Sequence, residues 1–165
     1  MTEELYRRSL AWFRADVRRE RAAVLCMRGL TGLFAASYGV LVVVLLILKE
    51  GSLLWRCFLV PAVGFAVVSV FRHLLDRPRP CEVYHIEPLQ ERNVPGRSFP
   101  SRHTFSGVLI AMVFLRVFPP LGVVFLLLAA VLGTLRILSG LHFIRDVIAG
   151  AAAAFAIGLF GLFWL

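Results

Sequence analysis

Long apolar runs separated by polar stretches dominate the pattern of the chain. The five apolar segments are 30–48, 53–71, 104–118, 120–135 and 147–165. A helix needs about 20 apolar residues to cross the hydrocarbon core of a bilayer, and the first, second and fifth segments meet that length directly. The third does so only if it begins near Ser101, and Pro119 and Pro120 predict a tight hairpin between the third and the fourth. The pattern predicts an all-α fold, a multi-pass transmembrane helical bundle with about five spanning helices.

The N-terminal stretch, residues 1–28, is polar and rich in arginine. Its apolar residues recur at helical spacing, with arginines on the opposite side, and they are Leu5, Tyr6, Leu10, Phe13 and Val17. This pattern predicts an N-terminal amphipathic helix that lies in the membrane interface. The alternative is a solvated helical tail.

The longest polar stretch inside the chain is 72–103. It holds Gly96 and five prolines, which are Pro78, Pro80, Pro88, Pro95 and Pro100. This density of proline predicts a loop with little regular structure, and loops of this length in compact domains are usually functional. We therefore predict one membrane domain over 1–165, in which 72–103 is the catalytic loop.

Composition supports the membrane interpretation and adds a preference for phosphate. The hydrophobic fraction is 59% and the mean hydropathy is +0.82, whereas a soluble domain is roughly half apolar. The formal charge is +8, and every basic residue except Lys49 is an arginine, whose planar fork suits phosphate. Nucleic acid is disfavoured as a partner because no known binding module is present. No cysteine pair has metal-ligand spacing and no Asp/Glu-rich magnesium site is apparent, so we predict no metal and no cofactor.

Two polar clusters lie at the two ends of the predicted loop. Arg72 and Arg79 lie seven residues apart after the second apolar segment; taken alone, they are typical of interfacial basic anchors. The second cluster, 99–104, opens the third segment, where a helix start offers unpaired N–H groups to phosphate. Ser101 can cap that helix and His103 can exchange a proton near neutral pH. A helix cap with an interfacial histidine is the simpler interpretation of this cluster alone.

The third cluster runs from Arg136 to Asp146. If 142–146 is helical, His142 and Asp146 lie four residues apart on one face. A carboxylate bonded to one ring nitrogen fixes the tautomer and leaves the other nitrogen free to attack. The alternative is a His–Asp pair that stabilises a helix start. Since the predicted hairpin returns to the face where the second segment ends, all three clusters are expected on one membrane face.

In these clusters the chain resembles the type 2 phosphatidic acid phosphatase family, which shares a core with vanadium haloperoxidases. That family shows three motifs in order, K-x6-R-P, P-S-x-H and S-R-x5-H-x3-D. The matching residues here are Arg72-x6-Arg79-Pro80, Pro100-Ser101-Arg102-His103 and Leu135-Arg136-x5-His142-x3-Asp146. Arg72 stands where the family usually has Lys, and Leu135 where it has Ser. The family also usually has three spanning helices before the first motif, whereas two apolar segments precede it here.

The resemblance implies a role for each matched residue. His142 attacks phosphorus and forms a phosphohistidine, Asp146 orients it, and His103 protonates the leaving oxygen and then activates water. The implied phosphate-binding residues are Arg72, Arg79, Ser101 and Arg136. Phosphoryl transfer depends mainly on positioning and charge compensation, which arginines supply without a metal.

The implied function is metal-independent hydrolysis of a lipid phosphate or diphosphate. Candidate substrates are polyprenyl phosphate or diphosphate, phosphatidate and phosphatidylglycerol phosphate. A phosphotransferase that uses a lipid diphosphate would need the same residues. A membrane scaffold or lipid-binding protein is the non-enzyme alternative, and the presence of His103, His142 and Asp146 together argues against it.

The predicted location is the plasma membrane, which the chain crosses several times. Two spanning segments before the first motif place the N-terminus and the site on the same side. Seven arginines of 1–28 lie on that side, against Lys49, Arg56 and Arg116 on the other. The positive-inside rule therefore favours a cytoplasmic site, whereas most family members that process exported lipids have an outward one.

Overall fold

The computed structural model describes residues 1–90 and 95–164, and the regular structure in these ranges is helical. The elements are α1 (Glu3–Arg14), α2 (Val17–Ile47), α3 (Gly51–Leu75), α4 (Pro80–Val83), α5 (Arg102–Val117), α6 (Pro119–Leu138) and α7 (Ile144–Gly158), which continues as a π-helical end, Leu159–Trp164. The predicted all-α fold is confirmed.

Four helices within the described ranges are long and apolar enough to cross a membrane. They are Val17–Ile47, Gly51–Val83, Pro119–Leu138 and Ile144–Trp164. Large apolar side chains are exposed on their outer faces, as expected where hydrocarbon replaces water; examples are Val43, Trp55, Val63, Leu127 and Phe160. These helices correspond to four of the five predicted spans.

The fifth predicted span, 104–118, is the shorter helix α5 at the centre of the bundle. It has 16 residues, about 24 Å at 1.5 Å per residue, against a hydrocarbon core of about 30 Å. Helices α3, α6 and α7 pack around it, and most of its side chains are buried. Its length is limited because its first residues belong to the polar cluster and Phe118 alone joins it to α6. The predicted tight hairpin is therefore present.

The N-terminal stretch differs from the single helix predicted over 1–28. The chain breaks at Ala15 and Asp16, and the Asp16 carboxylate caps α2 by accepting the backbone N–H of Arg18 at 2.8 Å. Residues 17–28 thus form the beginning of the first long helix. Helix α1 is amphipathic as predicted, but Tyr6 and its neighbours on the apolar face are buried against protein. The exposed residues of α1 are Leu5, Ala11, Trp12 and those with charged side chains.

The predicted catalytic loop, 72–103, contains more helix than expected. Helix α3 extends to Leu75, and α4 forms one turn because Pro80 occupies a first helical position, where its missing N–H is not needed. The remaining described residues up to Ser101 are irregular, and 91–94 lie outside the described residues. Gly96 has φ +68°, and a Cβ there would lie 2.6 Å from the Asp76 carboxylate, so this position requires glycine.

The order of the helices places the polar clusters at one end of the bundle. Helices α2 and α3 are joined by a short turn at Lys49 and Glu50, and α5 and α6 by Phe118. The end of α3, the start of α5, the end of α6 and the start of α7 consequently meet at the end where α1 lies. At the far end, Arg116 Nε donates to the Leu162 carbonyl at 3.3 Å.

Two exposed glutamates mark the opposite ends of the bundle and test its orientation. The Glu87 side chain is 88% exposed at the site end, and Glu50 lies exposed in the far turn. If the N-terminal arginines hold the site end in the cytoplasm, a membrane-impermeant thiol reagent labels Glu50→Cys in intact cells and leaves Glu87→Cys unlabelled. The background lacks the three native cysteines, and labelling of both variants after lysis is the control. Labelling of Glu87→Cys alone in intact cells would contradict a cytoplasmic site.

Candidate active site

Asp146, in the first turn of α7, is a fully buried carboxylate that joins several segments. Its Oδ2 accepts the Ser98 hydroxyl at 2.5 Å and the Phe143 backbone N–H at 3.0 Å. Arg145 Nε lies 3.7 Å from Oδ1. The Asp146 backbone carbonyl accepts the N–H of Ser101 at 2.9 Å. One residue therefore holds the start of α7 against the loop before α5 and against the start of α5.

His142 lies in the short connection 139–143 between α6 and α7, and its side chain is buried. Nδ1 is 3.6 Å from Asp146 Oδ2 and 3.4 Å from Ser98 Oγ, whereas Nε2 has no hydrogen-bond partner among the described residues. Burial lowers the pKa of His142 to about 4; the charges of Arg79 and Arg72 also lower it, and Asp146 opposes them. The imidazole is therefore neutral at pH 7. Nδ1 faces the carboxylate, Nε2 points away from it, and the predicted role of His142 as nucleophile stays a prediction.

Arg72 and Arg79 are buried, and both guanidinium groups hold the loop before α5 through its backbone. Arg72 lies in the last turn of α3, and Arg79 precedes α4. The carbonyl acceptors of Arg72 are Arg97, Ser98 and Pro100, and those of Arg79 are Gly96, Arg97 and Leu141. Both predicted phosphate-binding arginines thus hold the loop, and Arg79 also connects it to Leu141, the residue before His142.

The start of α5 docks directly on α7. Ser101 Oγ caps α5 by accepting from the Thr104 N–H at 3.5 Å and the Thr104 hydroxyl at 3.0 Å. A Cβ at Gly150 would lie 2.6 Å from the Ser101 carbonyl, so glycine allows this close approach. His103 follows in the first turn, half-buried. The structure brings the segment of Ser101 to Asp146, and a phosphate-binding role for Ser101 stays a prediction.

Arg136, in the last turn of α6, is 5% exposed and shapes the connection that carries His142. Its carbonyl accepts the backbone N–H groups of Leu141 and His142, both at 3.2 Å, and the Ser139 hydroxyl at 3.2 Å. All seven predicted site residues therefore belong to one end of the bundle. The described residues include no group of three His, Cys, Asp or Glu side chains placed to hold a metal ion. Independence from metal stays a prediction.

A polar cavity of about 160 Å³ lies beside these residues. Its wall consists of Ser69, Arg72, Arg79, Pro95, Gly96, Arg97 and Arg102. Ser69 Oγ is buried and has no hydrogen-bond partner within the described part of the chain. His142 does not line this cavity. Four arginines in one wall make the cavity suitable for a multiply charged anion.

Two apolar cavities, of about 220 and 250 Å³, lie along α5. The first is lined by Arg102 and His103 together with apolar side chains of α2, α3 and α6. The second lies deeper between α2, α3 and α5, and the two share Phe65, Ser106 and Ile110. Arg102 lines both the polar cavity and the first apolar cavity, so it marks the boundary between them.

The sequence model of the PAP2 superfamily matches residues 53–165, well over half of the chain. The chain belongs to the PAP2 superfamily. The matched range contains every predicted site residue, and membership supports phosphatase activity in general. Comparison with curated proteins gives no match.

Three residues of this PAP2 site were not predicted from the sequence. Ser98 bonds the Asp146 carboxylate, and Arg102 borders both kinds of cavity. Ser98 lies just before the P-S-x-H motif and Arg102 occupies its variable position, so this motif is the only sequence signal for them. Tyr6, whose hydroxyl donates to the His142 carbonyl at 3.1 Å, lies 136 residues away and outside the matched range, and no local pattern indicates it.

Ser98→Ala tests whether the hydroxyl bond to Asp146 supports turnover. Hydrogen bonds to charged groups contribute about 1.5–3 kcal/mol, so we expect kcat for phosphate release to fall about 10- to 100-fold with little change in KM. Ser37→Ala is the control, since its half-buried hydroxyl bonds only its own helix. An unchanged kcat in Ser98→Ala would show that Asp146 holds His142 without this bond.

Proposed function

We propose that this PAP2 protein hydrolyses the phosphate ester or diphosphate of a membrane lipid through a phosphohistidine on His142, without a metal. The observation that carries the lipid assignment is the position of Arg102. It lines both an arginine-walled polar cavity and an apolar cavity. An amphiphile fits this boundary, with its phosphate among the arginines and its chain along α5.

The first step of the proposed reaction is the attack of the neutral His142 imidazole on phosphorus. The neutral Nε2 forms a bond to phosphorus while the bond from phosphorus to the leaving oxygen breaks. The proton on Nδ1 stays directed at Asp146, which stabilises the positive charge that the ring gains. Because Nε2 is buried and lacks a partner among the described residues, a phosphoryl group entering there replaces no hydrogen bond of that nitrogen.

The arginines compensate the charge of the phosphoryl group. Arg72 and Arg79 donate to backbone carbonyls in the structure, and hydrogen bonds to an anionic oxygen are shorter and roughly twice as strong. A phosphoryl group can therefore draw donors of both side chains towards itself. His142 does not line the polar cavity, so phosphorus must still come within reach of Nε2. In the proposed mechanism, the loop rearranges when the arginine donors leave its carbonyls for the phosphoryl group, and this rearrangement brings phosphorus to Nε2.

His103 is the proposed acid and base. It lines the apolar cavity next to Arg102, on the side where the lipid chain leaves the phosphate. In the first step it gives a proton to the leaving oxygen, which departs as a lipid alcohol or a lipid monophosphate. In the second it takes a proton from water, whose oxygen attacks phosphorus, and the N–P bond breaks to release inorganic phosphate.

Phosphate release by the purified protein tests this function. We expect turnover of a long-chain lipid phosphate in the presence of EDTA, a higher KM for a short-chain analogue that cannot fill the apolar cavities, and no turnover by His142→Ala. Arg102→Gln should raise KM about tenfold, since one charge-assisted contact is lost. Arg116→Gln, an arginine at the far end, is the matched control with unchanged kinetics. A strict magnesium requirement, or equal KM for long and short chains, would contradict the proposal.

A further inference from the structure

Helix α1 lies outside the range that matches the PAP2 superfamily. It nevertheless contacts two segments of the proposed site directly, the connection that carries His142 and the segment that follows Arg79. Its exposed face carries charged side chains, among them two i, i+4 ion pairs, Arg7–Glu3 and Arg8–Glu4. The opposite face buries Tyr6 completely. A buried tyrosine hydroxyl needs a hydrogen-bond partner, so the complete burial of Tyr6 in this highly charged helix indicates a specific contact.

The partner of the Tyr6 hydroxyl is the backbone of the proposed nucleophile. Tyr6 Oη donates to the His142 carbonyl oxygen at 3.1 Å in a buried contact. The Tyr6 ring also packs edge-on against Phe143, with ring centres 6.2 Å apart, and lies 5.8 Å from the ring of Tyr84. Burial raises the pKa of Tyr6 above its ordinary value, so the hydroxyl keeps its proton and acts as a donor.

Two further hydrogen bonds join α1 to the end of α6 and to the segment that follows Arg79. On one side, Ser9 Oγ donates to the Leu138 carbonyl at 3.0 Å, at the end of α6. On the other, Arg7 donates to the Tyr84 carbonyl at 3.2 Å, just after α4. Helix α1 thus bridges the connection that carries His142 and the segment that follows Arg79.

The His142 backbone needs such support because its connection is short and its side chain has a demanding task. Nδ1 must stay directed at Asp146 while Nε2 attacks, and small displacements of reacting groups cost much rate. Main-chain bonds to Arg136 hold one side of the connection, and Tyr6 holds the His142 carbonyl itself.

We infer that Tyr6 is a positioning residue for the PAP2 reaction, whose hydroxyl bond to the His142 carbonyl keeps the imidazole aligned with Asp146. Helix α1 holds Tyr6 in this position. The inference rests on the proposed role of His142 as nucleophile. It assigns a contribution to turnover to a part of the chain that the family match does not include.

Tyr6→Phe tests the inference, because it removes the hydroxyl and keeps the ring between Tyr84 and Phe143. The matched control is Tyr84→Phe, which makes the same change in the same ring cluster, where the Tyr84 hydroxyl bonds none of the described residues. We expect kcat for a long-chain lipid phosphate to fall about five- to tenfold in Tyr6→Phe, with KM and the unfolding temperature close to wild type. Tyr84→Phe should behave as wild type.

Two outcomes would overturn the inference. One is full kcat in Tyr6→Phe. The other is an equal loss of kcat and unfolding temperature in both variants, which would mean that Tyr6 contributes packing alone. A wild-type protein that releases no phosphate would instead contradict the proposed function. In that case the ¹⁵N resonances of the His142 ring, assigned by their loss in His142→Gln, decide the positioning role. They should shift or broaden in Tyr6→Phe and stay unchanged in Tyr84→Phe, and unchanged resonances in Tyr6→Phe would refute it.

Discussion

A buried carboxylate is the constraint on which the catalytic end of this membrane protein depends. An ion removed from water is costly unless donors surround it, and the cost is greater where the neighbourhood is hydrocarbon. Asp146 meets this requirement at Oδ2, which lies against the Ser98 hydroxyl, the Phe143 N–H and the His142 ring. Its buried Oδ1 has no hydrogen-bond partner among the described residues and lies 3.7 Å from Arg145 Nε. The backbone carbonyl of Asp146 accepts the Ser101 N–H. The side chain and the backbone of one residue thus bring the start of α5, the preceding loop and the His142 connection together. The same contacts fix the orientation of His142, as the proposed mechanism requires.

The two buried arginines extend this arrangement, because they shape the loop that the phosphate is proposed to enter. Arg72 stands where related sequences usually have Lys, and its fork reaches the carbonyls of Arg97, Ser98 and Pro100. An ammonium is a compact point charge and does not offer the same planar set of donors. The substitution therefore has a structural consequence besides the preserved charge. In the proposed mechanism, the arginines that hold the loop also bind the phosphoryl group.

Features that depend on residues close together in the sequence are predicted here, whereas features that depend on residues far apart in the sequence are not. The apolar runs predict the long helices, Pro119 predicts the hairpin, and three spaced motifs predict the polar end of the bundle. The break at Asp16 depends on a local cap that competes with a continuous helical pattern, so the predicted helix over 1–28 was wrong in its extent. The Ser98–Asp146 and Tyr6–His142 bonds join residues 48 and 136 positions apart, and no periodicity or spacing in the sequence predicts either bond. The apolar face of α1 is equally suited to lipid and to protein, and only the packed structure shows that protein covers it.

The most direct test of the account is to trap the phosphoryl group on the enzyme. Wild-type protein is mixed for milliseconds with a lipid phosphate carrying ³²P and is quenched in alkali, which preserves phosphohistidine, before peptide mass spectrometry. The account predicts label on His142, none in His142→Gln, and undiminished label in His73→Gln, a histidine outside the site. Label on another residue, or phosphate release by His142→Gln at the wild-type rate, would contradict the assignment of His142 as the nucleophile.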